Sequence, residues 1–575
     1  MRQYRILAAI LCLLLLLAGC SGNANTNIPS NTENSGANSV TDIVTPPAAP
    51  DASSNRPTRP VTTTVTLADN NIVVSGSGAS ANGTTLTISA DGVYEVSGVL
   101  SDGQIIIDAP DKAIVELVLS GVNISNSKNS AIYCKSCDDF IITLTENTHN
   151  VLSDAKSYTY DDTAKQEPNA ALFSKTDLNI GGSGWLTVNA NFNHGISTKD
   201  DLVIEGGGFT VTSVADAIRG KDSLVILNGK FELNAGGDGF QASSTDGAEF
   251  GYVQIVDGEF NMKACGDAIQ AETTLTVSGG TFDITTEGTP AGESDSQKGL
   301  KAGTLLTVEK GTFRIISRDD AVHSNVDAKI NGGTFYIETN DDGIHADRNL
   351  YINGGEIEIP VCYEGFEGTI IEVNGGKSFI NASNDAISAA AGTAEAESWS
   401  GRGGNPYVQA WFKGGEVEAV ANGDVVDSNG NIYVTGGKLL LSAPSYPDYE
   451  GSLLCNGDVA ISGGTIASVG CMGVNVYWEE QPVPWFSHVK ELSEGSVLSV
   501  RDQNGNVLLE LTTRSDAEQS VYTTPDFKVG ETYSLYIDDA KKIDVTMKDG
   551  MNAIGDDGGK FTGGYSRSDM ADFRN

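Results

Sequence analysis

Basic residues are scarce in this 575-residue sequence: 36 Lys and Arg stand against 76 Asp and Glu, a formal net charge of −40. That shortage argues against nucleic acid as a partner, because phosphate recognition needs clustered Lys and Arg. Aromatic residues are only 7% and prolines only 16, whereas glycines number 67. So much glycine excludes a helix bundle, since each glycine costs about 1 kcal/mol in a helix interior. Cysteine is also sparse. Beyond Cys12 and Cys20 there are six, and no CxxC pair has a distant partner pair, which argues against a cysteine zinc site. Cys134, Cys137, Cys455 and Cys471 are expected mainly as buried thiols, with a disulfide left open. Disorder is excluded for most of the chain by 39% hydrophobic and only 19% charged residues.

Long apolar runs are nearly absent too. The exception runs from Ile6 to Ala18, behind Arg2 and Arg5, and ends in Leu17-Ala18-Gly19-Cys20. It is short for a membrane span and has the layout of an export signal. The ending resembles the bacterial lipoprotein signal, which implies removal of residues 1–19, lipidation of Cys20 and an extracytoplasmic, membrane-anchored protein at the cell surface. Residues 20–60 are rich in Asn, Ser, Thr, Pro and Ala and poor in large apolar side chains, a disordered tether.

What the chain has in abundance is a repeat. Asp216-Ala217-Ile218, Asp238-Gly239-Phe240, Asp267-Ala268-Ile269, Asp320-Ala321-Val322, Asp342-Gly343-Ile344, Asp385-Ala386-Ile387 and Asp424-Val425-Val426 share one pattern, and Lys298-Gly299-Leu300 and Glu364-Gly365-Phe366 fill the same slot. The first positions at 298, 320, 342 and 364 are 22 apart, as are 194, 216 and 238, and the longer intervals read as loop insertions. Each period holds three strand-like runs with Gly pairs at a corner. A leucine-rich repeat would need one strand per period and a Leu-x-x-Leu-x-Leu frame, which is missing. The remaining solution is an all-β parallel β-helix over 61–479, with coils of about 22 residues, three strands each. Ile196, Ile218, Phe240, Ile269, Leu300, Val322, Ile344, Phe366, Ile387 and Val426 should stack inward, as should Phe209, Phe231, Phe260, Phe282, Phe313, Phe335 and Ile357. Earlier, weaker coils include Ala131-Ile132 and Ala171-Leu172, and later ones reach Met472-Gly473-Val474. A small β cap is expected over 480–554, and residues 555–575 read as a disordered tail.

The first position of the repeat forms a charged ladder: His194, Asp216, Asp238, Asp267, Lys298, Asp320, Asp342, Glu364, Asp385, Asp424. Carboxylates about 4.8 Å apart repel unless compensated. Lys298 compensates one rung. Elsewhere Ca2+ is the natural counterion, because it accepts many oxygens in flexible geometry. Asp216, Asp238, Asp267, Asp319, Asp320, Asp341, Asp342 and Asp385 are the candidate ligands, densest at Asp319-Asp320 and Asp341-Asp342. The alternative is that each Asp caps its own corner by bonding backbone N–H groups. Three residues on from each rung, Arg219, Gln241, Gln270, Lys301, His323, His345, Glu367, Ser388 and Asp427 should face outward as a long polar strip. With Tyr351, and with Tyr407, Trp411 and Tyr433 as further aromatic candidates, this strip suits a polysaccharide.

The 22-residue coils, the lipoprotein-like start and Gly530-Glu531-Thr532-Tyr533 near the end together resemble a family of bacterial surface carbohydrate-binding proteins. Across roughly residues 70–540 the resemblance implies a right-handed, calcium-binding β-helix, pectate-lyase-like in shape, that binds cellulose and polygalacturonate without demonstrated catalysis. Right-handedness is also the usual sense of parallel crossovers. The rungs Lys298, His194 and Glu364 depart from the Asp pattern. Two other classes stay open. One is a polysaccharide lyase or galacturonan hydrolase, using Asp319, Asp320 and Asp342 with His323 or His345, or Ca2+ with Lys298, Lys301 or Arg219. The other is a structural or adhesive surface protein. Recurrence of the Asp pattern in nearly every coil favours binding, since catalysis needs one coil only.

Overall fold

The computed structural model describes residues 59–160, 166–289, 296–443, 451–470, 481–548 and 551–554. The export signal with Cys20, the tether up to residue 58, the coil expected at Met472-Gly473-Val474 with Cys471, and the tail from 555 lie outside the described residues. Among the described residues the chain is nearly all β. A long, mostly parallel sheet takes 47 strands, a second sheet takes four, and the one short helix is Ala394–Glu397.

The alternation that marks strands in the sequence becomes alternate burial. Leu305–Val308 and Thr334–Thr339 each bury every second side chain. The Gly pairs turn the chain between such runs. Gly280 and Gly311 adopt φ values of 109° and 132°, which L-residues rarely tolerate. A Cβ on Gly311 would also sit 2.8 Å from the Phe313 ring, so the corner has no room for a side chain.

Each strand pairs in parallel with its counterpart one repeat away, so the fold is β-helix-like. The pairing Ile196↔Ile218↔Phe240↔Ile269↔Leu300↔Val322↔Ile344↔Phe366↔Ile387↔Val426 reproduces the first expected column. It continues backward through Leu172, Ile132 and Ile105 to Leu86. The phenylalanine column is equally regular. Phe209, Phe231, Phe260, Phe282, Phe313 and Phe335 stack face to face with centroids 4.5–5.1 Å apart. Insertions leave the columns undisturbed: the segment with the short helix interrupts the sequence between Ile387 and Val426, which remain register partners.

The three-strand division lapses in several coils; Ile114–Ser125, for one, pairs with both Asp139–Leu144 and His149–Ser153. Ile344–Ile352 and Phe366–Val373 each run the first and second strands together, with a register shift between Ala346 and Asn349.

Both ends of the long sheet turn antiparallel. Thr63–Ala68 pairs antiparallel with Asn71–Gly76 and parallel with Gly92–Leu100. At the other end, Thr465–Gly470 pairs antiparallel with Ala517–Thr523, which also carries Trp485–Leu492. Covering the terminal strands in this way removes an open edge that would invite pairing with other chains. Val497–Arg501, Val507–Thr512, Thr532–Ile537 and Ala540–Thr546 form the separate four-stranded sheet. Cys134, Cys137 and Cys362 are buried free thiols, and Cys455 is buried as well.

Phe282 is 1% exposed and stacked on both sides. Phe282→Ala should therefore destabilise the protein by about 3–5 kcal/mol. Phe282→Leu, which refills much of the volume, should cost clearly less. Urea denaturation followed by circular dichroism measures both, and equal costs would mean that the stack contributes little beyond the filling of space.

Candidate functional site

The backbone places the expected ladder at one corner and the polar strip on the strand that follows it. Each ladder carboxylate uses its two oxygens differently. One oxygen accepts the backbone N–H of the next rung: Asp216 from Asp238 at 3.0 Å, Asp238 from Asp267 at 2.8 Å, and Asp267 from Lys298 at 2.8 Å. Asp320 accepts from Asp342 at 3.2 Å, Asp342 from Glu364 at 3.3 Å, and Asp385 from Asp424 at 2.7 Å. Corner capping therefore accounts for one oxygen of every one of these side chains.

The second oxygen faces the strip or a neighbouring rung. Asp216 Oδ2 lies 3.1 Å from His194 Nδ1, Asp238 Oδ2 accepts from Gln241 Nε2 at 2.6 Å, and Asp267 Oδ2 lies 3.2 Å from Lys301 Nζ. Burial alone would raise Asp216, but its hydrogen bond and charge interaction with His194, the Asp238 amide and the charge of Arg219 together hold the carboxyl below the usual range. Asp238 has no such cation, and burial together with the charges of Asp216 and Asp267 pushes it up to about 8. Arg219 donates to Ser243 Oγ at 2.7 Å and lies 3.3 Å from His194 Nε2. Gln270 Oε1 is buried without a hydrogen-bond partner.

The densest part of the ladder spans the coils of Lys298, Asp320, Asp342 and Glu364. Lys298 Nζ reaches Asp319 Oδ1 at 2.6 Å and Asp320 Oδ2 at 2.7 Å. His323 Nδ1 lies 2.8 Å from the same Asp320 oxygen, and His323 Nε2 lies 2.9 Å from Asn325 Oδ1. Burial would raise Asp320, yet the two histidines and Lys298 hold it far below the usual carboxylate range. Asp342 goes the other way, pushed up to about 10 by burial and by the facing Glu367. His345 Nδ1 lies 3.2 Å from Glu367 Oε2, 3.5 Å from Asp342 Oδ2 and 3.6 Å from Asp320 Oδ2.

Oxygens of Asp319, Asp320 and Asp341 do converge to within 4.8 Å, as the sequence suggested. The Lys298 ammonium, however, already occupies the cationic position between Asp319 and Asp320. Asp385 stands apart from this cluster, on the rung that bonds Asp424. A different acidic group fits a hard cation better. Asp177, Asp200 and Asp201 bring carboxylate oxygens within 4.8 Å of one another, with no imidazole or thiol in the set. Burial and the charges of Asp200 and Asp201 push Asp177 up to about 7. This second corner escaped the sequence reading although Asp200 and Asp222 share the 22-residue spacing.

The strip is half-buried rather than freely solvated. It continues backward through Ser197, Phe173 and Tyr133 to Ile106. There a cavity of about 570 Å³ opens, lined by Tyr133, Tyr160, Lys128, Lys135, Lys175 and Glu167 among others. Lys135 Nζ stands 5.6 Å over the Tyr133 ring, and Lys175 pairs with Glu167 at 2.8 Å. Tyr351 lies farther along the merged strand Ile344–Ile352, with Lys329 Nζ 5.9 Å from its ring. Trp411 and Tyr433 stack on each other at 4.0 Å, so their facing sides are closed to a sugar. Tyr407 is exposed.

A family model described as carbohydrate-binding domain-containing protein matches residues 82–343 and 337–451. A carbohydrate-binding domain-containing protein of Acetivibrio thermocellus is 45% identical over 134 residues, which are 23% of this chain and 47% of the relative. The chain thus spans about half the length of the curated relative it matches. Among solved structures, the polysaccharide lyase-like protein from C. thermocellum, studied as a gadolinium derivative, is similar with 35% identity and a TM-score of 0.38, over 39% of this chain and 91% of that one.

The Asp238 carboxyl supplies a pH test. Folded, it keeps its proton up to about 8, whereas an unfolded Asp loses it near about 3.9. Its contribution to stability is complete below the unfolded value and is lost as pH rises through the folded one. Asp238→Asn, which mimics the protonated form, should therefore gain on the wild type between pH 5 and pH 8, by about 1 kcal/mol or more. Denaturation midpoints in chelator across that range check this, and a difference independent of pH would count against it.

Proposed function

Because the chain belongs to the carbohydrate-binding domain-containing family, we propose that it is a non-catalytic, calcium-binding, polysaccharide-binding surface lipoprotein. The observation that carries this reading is the span of the family match. Residues 82–451 include both the cavity at the early coils and the whole polar strip from Arg219 to Asp427. The long parallel sheet is taken to wind as a right-handed β-helix with three strands in most coils, the usual hand of parallel crossovers. Cys20 would carry the lipid, and residues 21–60 would give the coils reach from the membrane.

The ligand is an extended polysaccharide, pectin-like polygalacturonate or cellulose, lying along the strip. Arg219, Gln241, Gln270 and Lys301 supply donors at coil spacing, with His323 and His345 lining the strip beyond them, and hydroxyl-rich rings match such a row. Lys128, Lys135 and Lys175 at the cavity suit a uronate carboxylate, since charge-assisted bonds to carboxylate are the stronger kind. Calcium would be held by Asp177, Asp200 and Asp201, whose all-oxygen donor set suits a hard cation. Asp341, beside Asp319, is the position on the ladder where a further ion could meet a uronate. Repetition of the Asp corner argues against a dedicated catalytic coil.

Retention on polygalacturonate should rise with added calcium and disappear in excess EDTA, while retention on cellulose should respond less. Arg219→Ala combined with Lys301→Ala should weaken polygalacturonate retention at least tenfold, a loss of about 1.4 kcal/mol. Affinity electrophoresis through gels with each polysaccharide measures both effects. Equal retention with calcium and with EDTA would overturn the calcium reading, and release of unsaturated or reducing ends would replace binding by catalysis.

A further inference from the structure

We infer that His345, Asp342 and Glu367 form a site for one divalent transition-metal ion of the zinc, cobalt and nickel class, distinct from the calcium positions proposed above. The first support is spacing. His345 Nδ1 stands 3.2 Å from Glu367 Oε2 and 3.5 Å from Asp342 Oδ2. Ligand atoms bound at about 2.0–2.2 Å to a tetrahedral ion lie about 3.4 Å from one another. The two nitrogen–oxygen separations thus match edges of a coordination polyhedron, and the Asp342 and Glu367 oxygens lie within 4.8 Å of each other.

The second support comes from the far side of the ring. His345 Nε2 faces Asp347 Oδ1 at 3.4 Å. A carboxylate behind an imidazole fixes the tautomer with the proton on that side and leaves the other nitrogen's lone pair for a metal. In this geometry that lone pair is on Nδ1, which points toward Asp342 and Glu367. The imidazole also decides the metal class. Calcium takes oxygen ligands, whereas imidazole suits zinc, copper, iron and nickel.

The neighbouring groups define the limits of the site. Asp320 Oδ2 lies 3.6 Å from His345 Nδ1 but already holds Lys298 at 2.7 Å and His323 at 2.8 Å. A second cation on that oxygen would face the ammonium. His323 is committed through both ring nitrogens, to Asp320 and to Asn325. Its ring packs edge-on against His345 with centroids 4.8 Å apart and walls the site. Three protein ligands remain, which leaves a coordination position open in the manner of non-structural zinc sites.

The test uses the chain after EDTA treatment and dialysis, titrated separately with Co2+, Zn2+ and Ca2+. The expected result is one Co2+ per chain with visible d–d absorption, displaced by Zn2+ and not by equimolar Ca2+. His345→Ala should abolish the absorption, and Asp347→Ala should weaken Co2+ binding about 10–100-fold. Asp177→Asn should leave it unchanged. Glu367→Gln provides a second ligand variant should His345→Ala fold poorly, with melting temperatures in EDTA as the check on folding. Absence of Co2+ absorption in the wild type, or equal absorption in folded His345→Ala or Glu367→Gln, would overturn the site. Polysaccharide retention is not a readout here, so the outcome is independent of the binding reading.

Discussion

One hydrogen bond per coil governs this molecule: a corner carboxylate accepts the backbone N–H that opens the corresponding corner of the next coil. The strands satisfy their own amides by parallel pairing, but the corner amides lie outside the ladders and would otherwise be buried without an acceptor, at a cost of roughly 1–3 kcal/mol each. Aspartate is short enough to reach one coil along and no further. The bond therefore fixes which residue sits over which, and the Ile and Phe columns inherit that register. His194 at the start and Lys298 in the middle show that the slot tolerates other side chains. The Asp216 amide turns to the His194 imidazole nitrogen, and the Asp320 amide, which Lys298 cannot accept, turns to Asp319 Oδ1.

That economy of backbone bonding creates an electrostatic problem. Each acceptor brings a second oxygen and a negative charge to a corner where the neighbouring charges are one strand spacing away. The protein resolves it differently at successive rungs. An amide donor, Gln241, meets Asp238; ammonium groups meet Asp267 and Asp320; imidazoles meet Asp216 and Asp320. Where no donor is strong enough, as at Asp238, Asp342 and Glu364, the carboxyl holds its proton toward neutral pH or beyond. A bound cation competes for the same places, so metal sites belong where protonation is otherwise the remedy. The polar strip is thus less a separate binding surface than the set of partners that the ladder requires, facing outward.

How much of this the sequence disclosed depends on the length scale. The columns were legible because burial acts at fixed spacing: Phe282 and Phe313 must stack once both follow a Gly-Gly or Lys-Gly corner by the same count. The ladder was legible for the same reason. Its chemistry was not, because spacing cannot say which oxygen of an Asp turns to a backbone amide. Lys298 was recognised as compensation, but not that it reaches past its own rung to Asp319 and Asp320. The merged strands at Ile344–Ile352 were missed because Asp347-Arg348 resembles a corner in composition, while in the fold Arg348 pairs with Asp327 at 2.8 Å and the chain runs straight through. The Asp177, Asp200 and Asp201 group was missed because its coils have irregular lengths, which hide the alignment until Leu178 and Leu202 are seen to be partners.

The charge along the outward column is graded, and the grading has a direction. Lys128, Lys135 and Lys175 surround the early cavity, and Lys199 pairs with Glu167 beside it. Arg219 and Lys301 follow, then the two histidines, then Glu367, Ser388 and Asp427. The net charge of −40 repels an anion at long range, but screening confines that field to about 8–10 Å at moderate salt. Inside that distance the local side chains decide. An acidic chain laid on this column meets cations at the cavity and carboxylates at the far end, so its affinity is unequal along its length. The early coils can hold it directly. The later coils meet it with Glu367 and Asp427, so a cation would have to stand between the two sets of carboxylates there.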